Sequence, residues 1–367
     1  MSNLDYKELQ KLIEINSYTG NKMGVDRSGE LFAEWIMALG MTLERHSREH
    51  IGDHLYFRSS RTEGKKLLLL GHLDTVFAPG TFEVFREDDD WIYGPGVCDM
   101  KGGNYVALQA LRKIYATYGH TNNIDLLLVS DEETGSHDSR HLTEALAPAY
   151  DYCMVFEAAG TNGEIVVGRK GIGMFTLHIE GVAKHAGNHY WEGADANQEA
   201  AHTLLALSRI SDQDKGTTLN VGKMEGGIGD NTVSPHATLF FDLRYEVSSE
   251  RERALRAIDD VLSRPYIKGT KSILTGGILR DVMQPTPAQQ AWIERVNALC
   301  DITLPTEQRG GVSDANIIAS AGTIVTDGWG PFGDGDHTVH ERASKQSFEE
   351  RIELVTEILR LHIEGKL

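Results

Sequence analysis

Three short apolar runs, each followed by a residue that can bind a metal ion, constrain the fold more than any other feature of this chain. The runs cover residues 66–71, 124–129 and 152–156. Short runs of this kind are typical of strands that are buried on both faces of a parallel sheet. A doubly wound sheet builds its site at the carboxyl edge, where such strands end. The sequence therefore predicts an α/β fold with a site at that edge.

An acidic pair, Glu132 and Glu133, follows the second run. Neighbouring side chains at a strand end point in opposite directions, so one Glu can bind a cation while the other faces the space beside it. That is the layout of a metal ligand next to a general base, and it favours metal-assisted hydrolysis. Two adjacent acids in a loop are more often a solvated turn, so the pair gains weight only from the residues around it.

A His-x-Asp motif, His72 and Asp74, stands at the end of the first run. The two positions share a face because strand side chains alternate. Asp74 can therefore hold one ring nitrogen of His72 while the other nitrogen binds a metal ion. A structural histidine satisfied by its neighbours is the commoner reading of this motif in isolation.

A glycine-rich turn at 94–103 places Asp99 just before a predicted helix at 104–118. The glycines suggest dinucleotide binding, but Asp99 replaces the third glycine of that fingerprint and residues 88–93 make a poor central strand. A carboxylate in a tight turn at a helix start instead suits a ligand that bridges two cations. A helix-capping Asp is the alternative.

Two further segments supply candidate ligands. Glu157 follows the third apolar run, and the segment 333–341 contains His337 and His340. One acid after each of several strands is the pattern of a site at the edge of a doubly wound sheet. Either histidine of the last segment can complete the set.

Taken together, these motifs resemble a known family, the zinc exopeptidases and deacylases that include glutamate carboxypeptidase, acetylornithine deacetylase, succinyl-diaminopimelate desuccinylase and aminoacylase. The resemblance spans nearly the whole chain and is greatest to the glutamate carboxypeptidase branch. It rests on the following motifs: His-x-Asp-Thr-Val at 72–76, Gly-x-Gly-x-x-Asp-Met-Lys-Gly-Gly at 94–103, Ser-Asp-Glu-Glu-x-Gly-Ser at 130–136, Glu157, Lys-His-Ala-Gly at 184–187 and His-x-x-x-Glu at 337–341.

The resemblance implies two Zn²⁺ ions per chain, for which Co²⁺ or Mn²⁺ are substitutes that the same groups tolerate. The implied ligands of the first ion are Asp99, Glu133 and His337, and those of the second are His72, Asp99 and Glu157, so that Asp99 bridges. Glu132 matches the general base, and Asp74 matches the residue that orients the histidine ligand. The family's spacing selects His337 over His340 as the last ligand.

The composition agrees with a cytoplasmic enzyme that binds neither nucleic acid nor membranes. Asp and Glu number 54 against 36 Lys and Arg, and the net charge of -18 opposes anionic partners. No apolar stretch approaches the roughly 18 residues that span a bilayer, and the start lacks a basic-then-apolar signal. The three cysteines, Cys98, Cys153 and Cys300, are expected to be reduced thiols. We expect Cys98 to be a packing residue and not a ligand.

The pattern changes near residue 170, and this indicates two domains. Beyond it, predicted elements follow in the order β-α-β-β-α-β: 174–181, 196–210, 218–224, 237–245, 250–262 and a final strand. We expect a catalytic domain at 1–170 and 283–367, with a mixed, mainly parallel sheet, interrupted by an inserted α+β domain at 171–282. In the family, the inserted domain is a lid and mediates dimerisation, so a homodimer is expected.

The resemblance also assigns residues of the insert to the substrate. Asn231 and Arg244 match positions that contact a substrate carboxylate, with Arg280 as a further contact. Gly311 lies in a glycine-rich loop whose backbone amides can bind a carboxylate or an oxyanion. His185 matches a histidine that assists the substrate carbonyl oxygen, either in its own chain or across a dimer.

The sequence thus predicts a metallopeptidase that cleaves an amide bond next to a free carboxylate, in a small peptide or an N-acyl amino acid. Water activated by the two metals would be the nucleophile, with Glu132 as the base. An N-acyl-amino-acid deacylase is the alternative, since it shares every catalytic residue. A metal-retaining binding protein is the alternative outside the enzymes, although an intact Glu132 counts against it because binding needs no base.

Overall fold

The computed structural model describes residues 5–367. Its helices are α1 Lys7–Ile13, α2 Lys22–Met37, α3 Lys101–Tyr118, α4 Ser139–Leu146, α5 Ala196–Leu207, α6 Ser248–Leu262, α7 Pro287–Cys300, α8 Ala315–Ser320 and α9 Lys345–Ile363. Its strands are β1 Thr42–His46, β2 His54–Arg58, β3 Leu67–His72, β4 Arg86–Glu87, β5 Trp91–Tyr93, β6 Ile124–Val129, β7 Tyr152–Val155, β8 Ile165–Arg169, β9 Gly171–Glu180, β10 Thr218–Gly226, β11 His236–Tyr245, β12 Lys271–Arg280, β13 Thr306–Arg309, β14 Ile324–Thr326, β15 Gly333–Asp334 and β16 Arg342–Ser344.

The chain forms two compact units. The first comprises Met1–Val167, Pro285–Gln308 and Ser313–Leu367, and the second comprises Gly168–Gln284 and Arg309–Val312. Among the helices between residues 5 and 367, none combines the length and the apolar character that a membrane crossing requires.

A six-stranded sheet in the order β1-β2-β6-β3-β7-β14 organises the first unit. β6, β3, β7 and β14 run parallel, whereas β1 and β2 are antiparallel to their neighbours. The predicted α/β fold with a mainly parallel central sheet is confirmed.

Both faces of this sheet are covered, which explains why its strands read as continuous apolar runs. Leu67 and Leu69 of β3 belong to a core shared with α1, α2, α3 and α9, and they are almost fully buried. Leu68 and Leu70 point to the opposite face, because strand side chains alternate, and they are fully buried as well.

A glycine lets α3 approach the end of β7. A Cβ atom on Gly103 would lie 1.8 Å from the carbonyl oxygen of Phe156, so a larger residue would force the helix away. The contact brings the start of α3, where Asp99 lies just before the helix, against the segment that leads to Glu157. Gly103 therefore helps to bring two of the candidate ligands together.

The second unit contains a four-stranded antiparallel sheet in the order β10-β11-β9-β12. Burial alternates along β9 and β11, and the buried side chains share a core with α5 and α6. Along the chain these elements follow the predicted order β-α-β-β-α-β, running from β9 through α5, β10, β11 and α6 to β12. The alternation predicted at 174–181 matches the alternating burial along β9.

Candidate metal centre

The ends of three neighbouring parallel strands meet at one edge of the central sheet. His72 is the last residue of β3, Glu133 follows β6 after a short turn, and Glu157 follows β7 by two residues. Asp99 comes from the turn that precedes α3. Because parallel strands end at the same edge, these four side chains, which are far apart in the sequence, lie in one region.

The first group of side chains that could hold a metal ion contains His72, Asp99 and Glu157, whose ligand atoms all lie within 4.8 Å of one another. Nε2 of His72 lies 3.0 Å from Oδ1 of Asp99 and 3.7 Å from Oε1 of Glu157. Nδ1 of His72 lies 3.0 Å from the backbone oxygen of Asp74. Since a carbonyl oxygen only accepts, Nδ1 carries a proton, and Nε2 of the neutral ring can offer its lone pair to a cation.

The second group contains Asp99, Glu133 and His337, with ligand atoms again within 4.8 Å of one another. Nε2 of His337 lies 3.2 Å from Oδ2 of Asp99 and 3.2 Å from Oε2 of Glu133. Asp99 therefore belongs to both groups and presents a different oxygen to each histidine. That is the geometry of a bridging carboxylate.

The electrostatics of the two groups favour positive charge. Burial raises the pKa of Glu133 to about 8, and the charge of Asp99 adds to the rise. Burial also raises the pKa of Glu157 well above its ordinary value, again with a contribution from Asp99. Glu133 and Glu157 thus resist ionisation beside Asp99, and cations among these carboxylates would relieve the repulsion. His and carboxylate donors suit zinc, and they tolerate cobalt and manganese.

The pKa of His337 is raised as well, but in a histidine a raised pKa favours the charged form. Hydrogen bonds to Asp99 and Glu133 raise the pKa of His337 to about 11. Burial disfavours the ionised form of Asp99, but hydrogen bonds from His337 and His72 outweigh it and hold the pKa of Asp99 below its ordinary value. These shifts favour positive charge between the carboxylates, and the donor set fits a pair of divalent cations there.

Glu132 lies on a single 3₁₀ turn, Glu132–Thr134, directly after β6. Its side chain is half-buried, and it belongs to neither group of candidate ligands. Asp74 is fully buried and accepts hydrogen bonds from the backbone N–H groups of Glu132 and Glu133 at 3.3 and 3.2 Å. Nδ1 of His72 lies 3.4 Å from the carboxylate Oδ1 of Asp74, and the backbone oxygen of Asp74 is nearer to it, at 3.0 Å. Asp74 thus contacts both the histidine and the turn with the acidic pair.

The alternative ligand from the sequence, His340, is placed elsewhere, and Cys98 is a buried thiol beside Asp99. His340 is exposed and lines a surface hollow together with Phe82, Val84 and Tyr93, and it belongs to neither ligand group among residues 5–367. The thiol of Cys98 is buried, and burial raises its pKa well above the ordinary value, which disfavours the thiolate that a metal would need.

The second unit brings His185 and Asn231 together. His185 pairs with Thr232 in an isolated β-bridge, and the N–H of Ala186 donates to the backbone oxygen of Asn231 at 3.0 Å. The His185 side chain is exposed. Its Nδ1 accepts hydrogen bonds from the N–H groups of Gly187 and Asn188 at 3.1 and 3.2 Å.

The other predicted substrate contacts lie at the far end of the same sheet. Arg244 on β11 and Arg280 on β12 both pair with Ile172 of β9, from opposite sides. Nε of Arg244 donates to Asp242 at 3.0 Å. Gly311 is exposed, and its backbone oxygen accepts a hydrogen bond from Arg169 at 3.1 Å.

Three residues that the sequence analysis gave no role contact the candidate ligands or Asp74. Asn104 donates to the backbone oxygen of His72 at 2.6 Å, and Thr19 donates to Asp74 at 2.7 Å. Glu341 accepts a hydrogen bond from the backbone N–H of Asp99 at 3.0 Å. Glu341 was visible in the sequence as the end of the His-x-x-x-Glu motif. Neither Asn104 nor Thr19 belongs to any motif that could have identified it.

The fold and this site define a class of protein, an α/β protein with paired candidate metal sites at the carboxyl edge of its sheet. A family model described as peptidase family M20/M25/M40 matches residues 68–361. The chain belongs to that family of metal-dependent peptidases, and it is an amide-bond-cleaving metallopeptidase. The family resemblance noted in the sequence is thereby confirmed.

Individual relatives agree with this assignment. Carboxypeptidase G2 of Pseudomonas sp. (strain RS-16) is 31% identical over 345 residues, which cover 90% of this chain and 82% of the relative. The fold is shared with aminopeptidase PepT of Bacillus cereus, at a TM-score of 0.78, 21% identity and 96% coverage of each chain. It is also shared with a dinuclear metal-binding M20 peptidase of Bacillus subtilis, at a TM-score of 0.68, 10% identity and 96% coverage of each chain.

Proposed function

We propose that this metallopeptidase is a di-zinc carboxypeptidase that cleaves an amide bond next to a free carboxylate. The observation that carries the proposal is the shared Asp99, whose two oxygens face His72 and His337 at 3.0 and 3.2 Å. The likeness to carboxypeptidase G2 supports the choice of substrate class.

Each residue of the two groups is a proposed metal ligand. The proposed ligands are Asp99, Glu133 and His337 for one ion and His72, Asp99 and Glu157 for the other. Bound metals would lower the pKa of a water molecule and polarise the scissile carbonyl. Glu132 lies beside the ligands without belonging to either group, which suits a base that takes the proton of the attacking water and delivers it to the leaving amine.

His185 is the proposed hydrogen-bond donor to the substrate's carbonyl oxygen. Because its Nδ1 accepts from two backbone N–H groups, the neutral ring carries its proton on Nε2. Nε2 is thus a donor ready for an oxygen on which negative charge develops. The histidine would act in its own chain or, in a homodimer joined through residues 171–282, across the dimer.

The free carboxylate of the substrate is proposed to bind Arg244 and the backbone amide of Gly311. Asn231 lies with His185 at the opposite end of the sheet, and it would contact the same substrate only across a homodimer. The ion pair of Arg244 with Asp242 uses Nε, and no described residue forms a hydrogen bond to its terminal nitrogens. A guanidinium of this kind can bind a carboxylate through two parallel hydrogen bonds.

A substrate panel tests the function. Dipeptides and tripeptides with free ends, with an amidated C-terminus and with an acetylated N-terminus are assayed beside N-acyl amino acids, with zinc, cobalt or manganese. We expect cleavage of the free and the acetylated peptides and a large loss of rate on amidation. Equal rates on amidated peptides, or a requirement for a free N-terminus, would contradict the proposed carboxypeptidase activity and indicate an aminopeptidase. Activity on N-acyl amino acids alone would establish the deacylase.

A further inference from the structure

Glu341 is a fully buried acid that the proposed mechanism does not use. It stands four residues after His337 and directly before β16. Its Oε1 accepts hydrogen bonds from the backbone N–H groups of Cys98 and Asp99 at 2.8 and 3.0 Å, and its Oε2 accepts from that of Gly96 at 2.9 Å. Three amides of one turn thus converge on one carboxylate.

The main chain of Glu341 contributes a fourth link to the same turn. Its backbone oxygen accepts a hydrogen bond from the N–H of Gly94 at 3.3 Å. Immediately beyond, β16 pairs with β5, with Arg342 opposite Tyr93. The end of the segment that contains His337 is therefore bonded to the turn that contains Asp99.

Within this turn the N–H of Val97 donates to the backbone oxygen of Gly94 at 3.2 Å, but those of Gly96, Cys98 and Asp99 donate to Glu341. Gly94 and Gly96 have φ angles of 152° and 76°, a backbone course that forms no regular ladder. A buried N–H without an acceptor is unfavourable, so without Glu341 these three amides would favour other conformations of the turn. A carboxylate is the acceptor best suited to them, since hydrogen bonds to a charged group are the stronger ones.

We propose that Glu341 is a positioning residue, which fixes the turn at 96–99 so that the two oxygens of Asp99 face the two metal sites. It acts through the backbone of Asp99 and binds no metal itself, because both of its oxygens already accept hydrogen bonds and it belongs to neither ligand group. This inference rests on the proposed function, in which Asp99 bridges the ions. It predicts that a change at Glu341 weakens both sites together.

The test is Glu341→Gln, which keeps the size of the side chain. Its amide group must turn donor hydrogens toward at least one of the three N–H groups, so the turn loses part of its support. Metal affinity is measured on chelator-treated, folded protein by competition with a chromophoric chelator, without reference to activity. We expect the affinity for both ions to fall by about 10–100-fold, the usual effect of removing a residue that orients a ligand.

The matched control is Asp334→Asn. Asp334 is an exposed acid of the same segment, paired with Arg342 at 2.8 Å. Its replacement removes a charge near His337 without touching the turn, and metal affinity is expected to stay at the wild-type level.

Four outcomes decide the matter. Wild-type affinity in folded Glu341→Gln, whether or not its thermal stability falls, would overturn the positioning role. Loss of one ion alone would also overturn it, because Glu341 would then act through His337. If the Gln variant does not fold, Glu341→Asp, which keeps the charge but shortens the reach, must weaken both sites, and wild-type affinity there would contradict the inference. A wild-type chain that binds no metal would instead remove the proposed function.

Discussion

The carboxylate of Asp74 accepts a hydrogen bond from the backbone N–H of Glu132 at 3.3 Å. This hydrogen bond joins the segment after β3 to the turn after β6, and its two residues are 58 positions apart in the chain. The residue that contacts His72, a proposed metal ligand, thus also holds the turn from which the proposed base projects. One buried acid therefore contacts both the proposed metal centre and the turn of the proposed base.

Glu132→Ala is the most direct variant of the proposed base. If Glu132 is a base and not a ligand, the variant should keep two metal ions per chain while kcat falls by about two to four orders of magnitude. Metal analysis after gel filtration and steady-state kinetics measure the two effects. Glu133→Ala is the matched comparison, and it should lose metal. Metal loss with a modest loss of rate in Glu132→Ala would exchange the roles of the two acids.

If Asp99 bridges two ions, variants of Asp99 and of His337 should differ in how much metal they lose. Asp99→Ala should empty both sites, because one carboxylate serves both ions, whereas His337→Ala should weaken mainly one. His340→Ala serves as the control, since the exposed ring belongs to neither ligand group. Metal content per folded chain is the measurement. A loss of metal in the His340 variant with retention in the His337 variant would reverse the assignment.

His185→Ala should keep both metals and the fold while kcat falls by about 10²–10³-fold, the usual cost of losing one donor to a developing oxyanion. His189→Ala is the control, because His189 is an exposed histidine of the same loop, paired with Glu192 at 3.0 Å, and little change is expected there. An unaltered kcat in the His185 variant would remove the residue from the mechanism.

Mixing this variant with Glu132→Ala then locates the histidine. Activity should return in part if His185 acts across a dimer, because one composite site would contain both groups. No rescue in verified heterodimers would confine the site to a single chain.

The ionised side chain of Asp53 is expected to make the free energy of unfolding of the first unit depend on pH in the acid range. Burial alone would raise its pKa, but hydrogen bonds from Lys22, from the backbone of Arg48 and from Arg45 lower it to about 2. A depressed carboxylate pKa stabilises the fold above the unfolded-state value near 3.8, and this contribution is lost as the pH falls toward 2. Asp53→Asn should therefore reduce the free energy of unfolding by about 1–3 kcal/mol at pH 7.

Urea unfolding of metal-free wild type and Asp53→Asn at pH 7 and pH 3 measures this term. The difference between the two proteins should shrink at the lower pH. A difference that stays constant would show that the charge of Asp53 plays no part in it.

Local patterns were sufficient to predict which candidate ligands follow strands. The apolar runs before His72, Glu133 and Glu157 are strands of one sheet, so their neighbours along the chain had to meet at its edge. His337 was different. It lies in an irregular segment with a φ of 61°, where no periodicity exists, and only the family's spacing selected it.

Long-range polar contacts could not be predicted from the sequence. Glu341 is bound to a turn more than 240 residues earlier, and nothing in its neighbourhood along the chain indicates that partner. The same is true of Thr19, which donates to Asp74 across 55 residues. Such contacts depend on the complete packing of the unit, whereas strand runs depend only on the burial of consecutive residues.

Metal titration of chelator-treated protein would decide whether the two groups of residues hold catalytic ions. Zinc is added in steps, and bound metal per folded chain is compared with the rate of cleavage of a peptide that has a free C-terminal carboxylate. We expect no activity without metal, two ions bound at saturation and a maximal rate at that stoichiometry. Full activity of the metal-free chain, or saturation of binding and rate at one ion, would contradict this expectation.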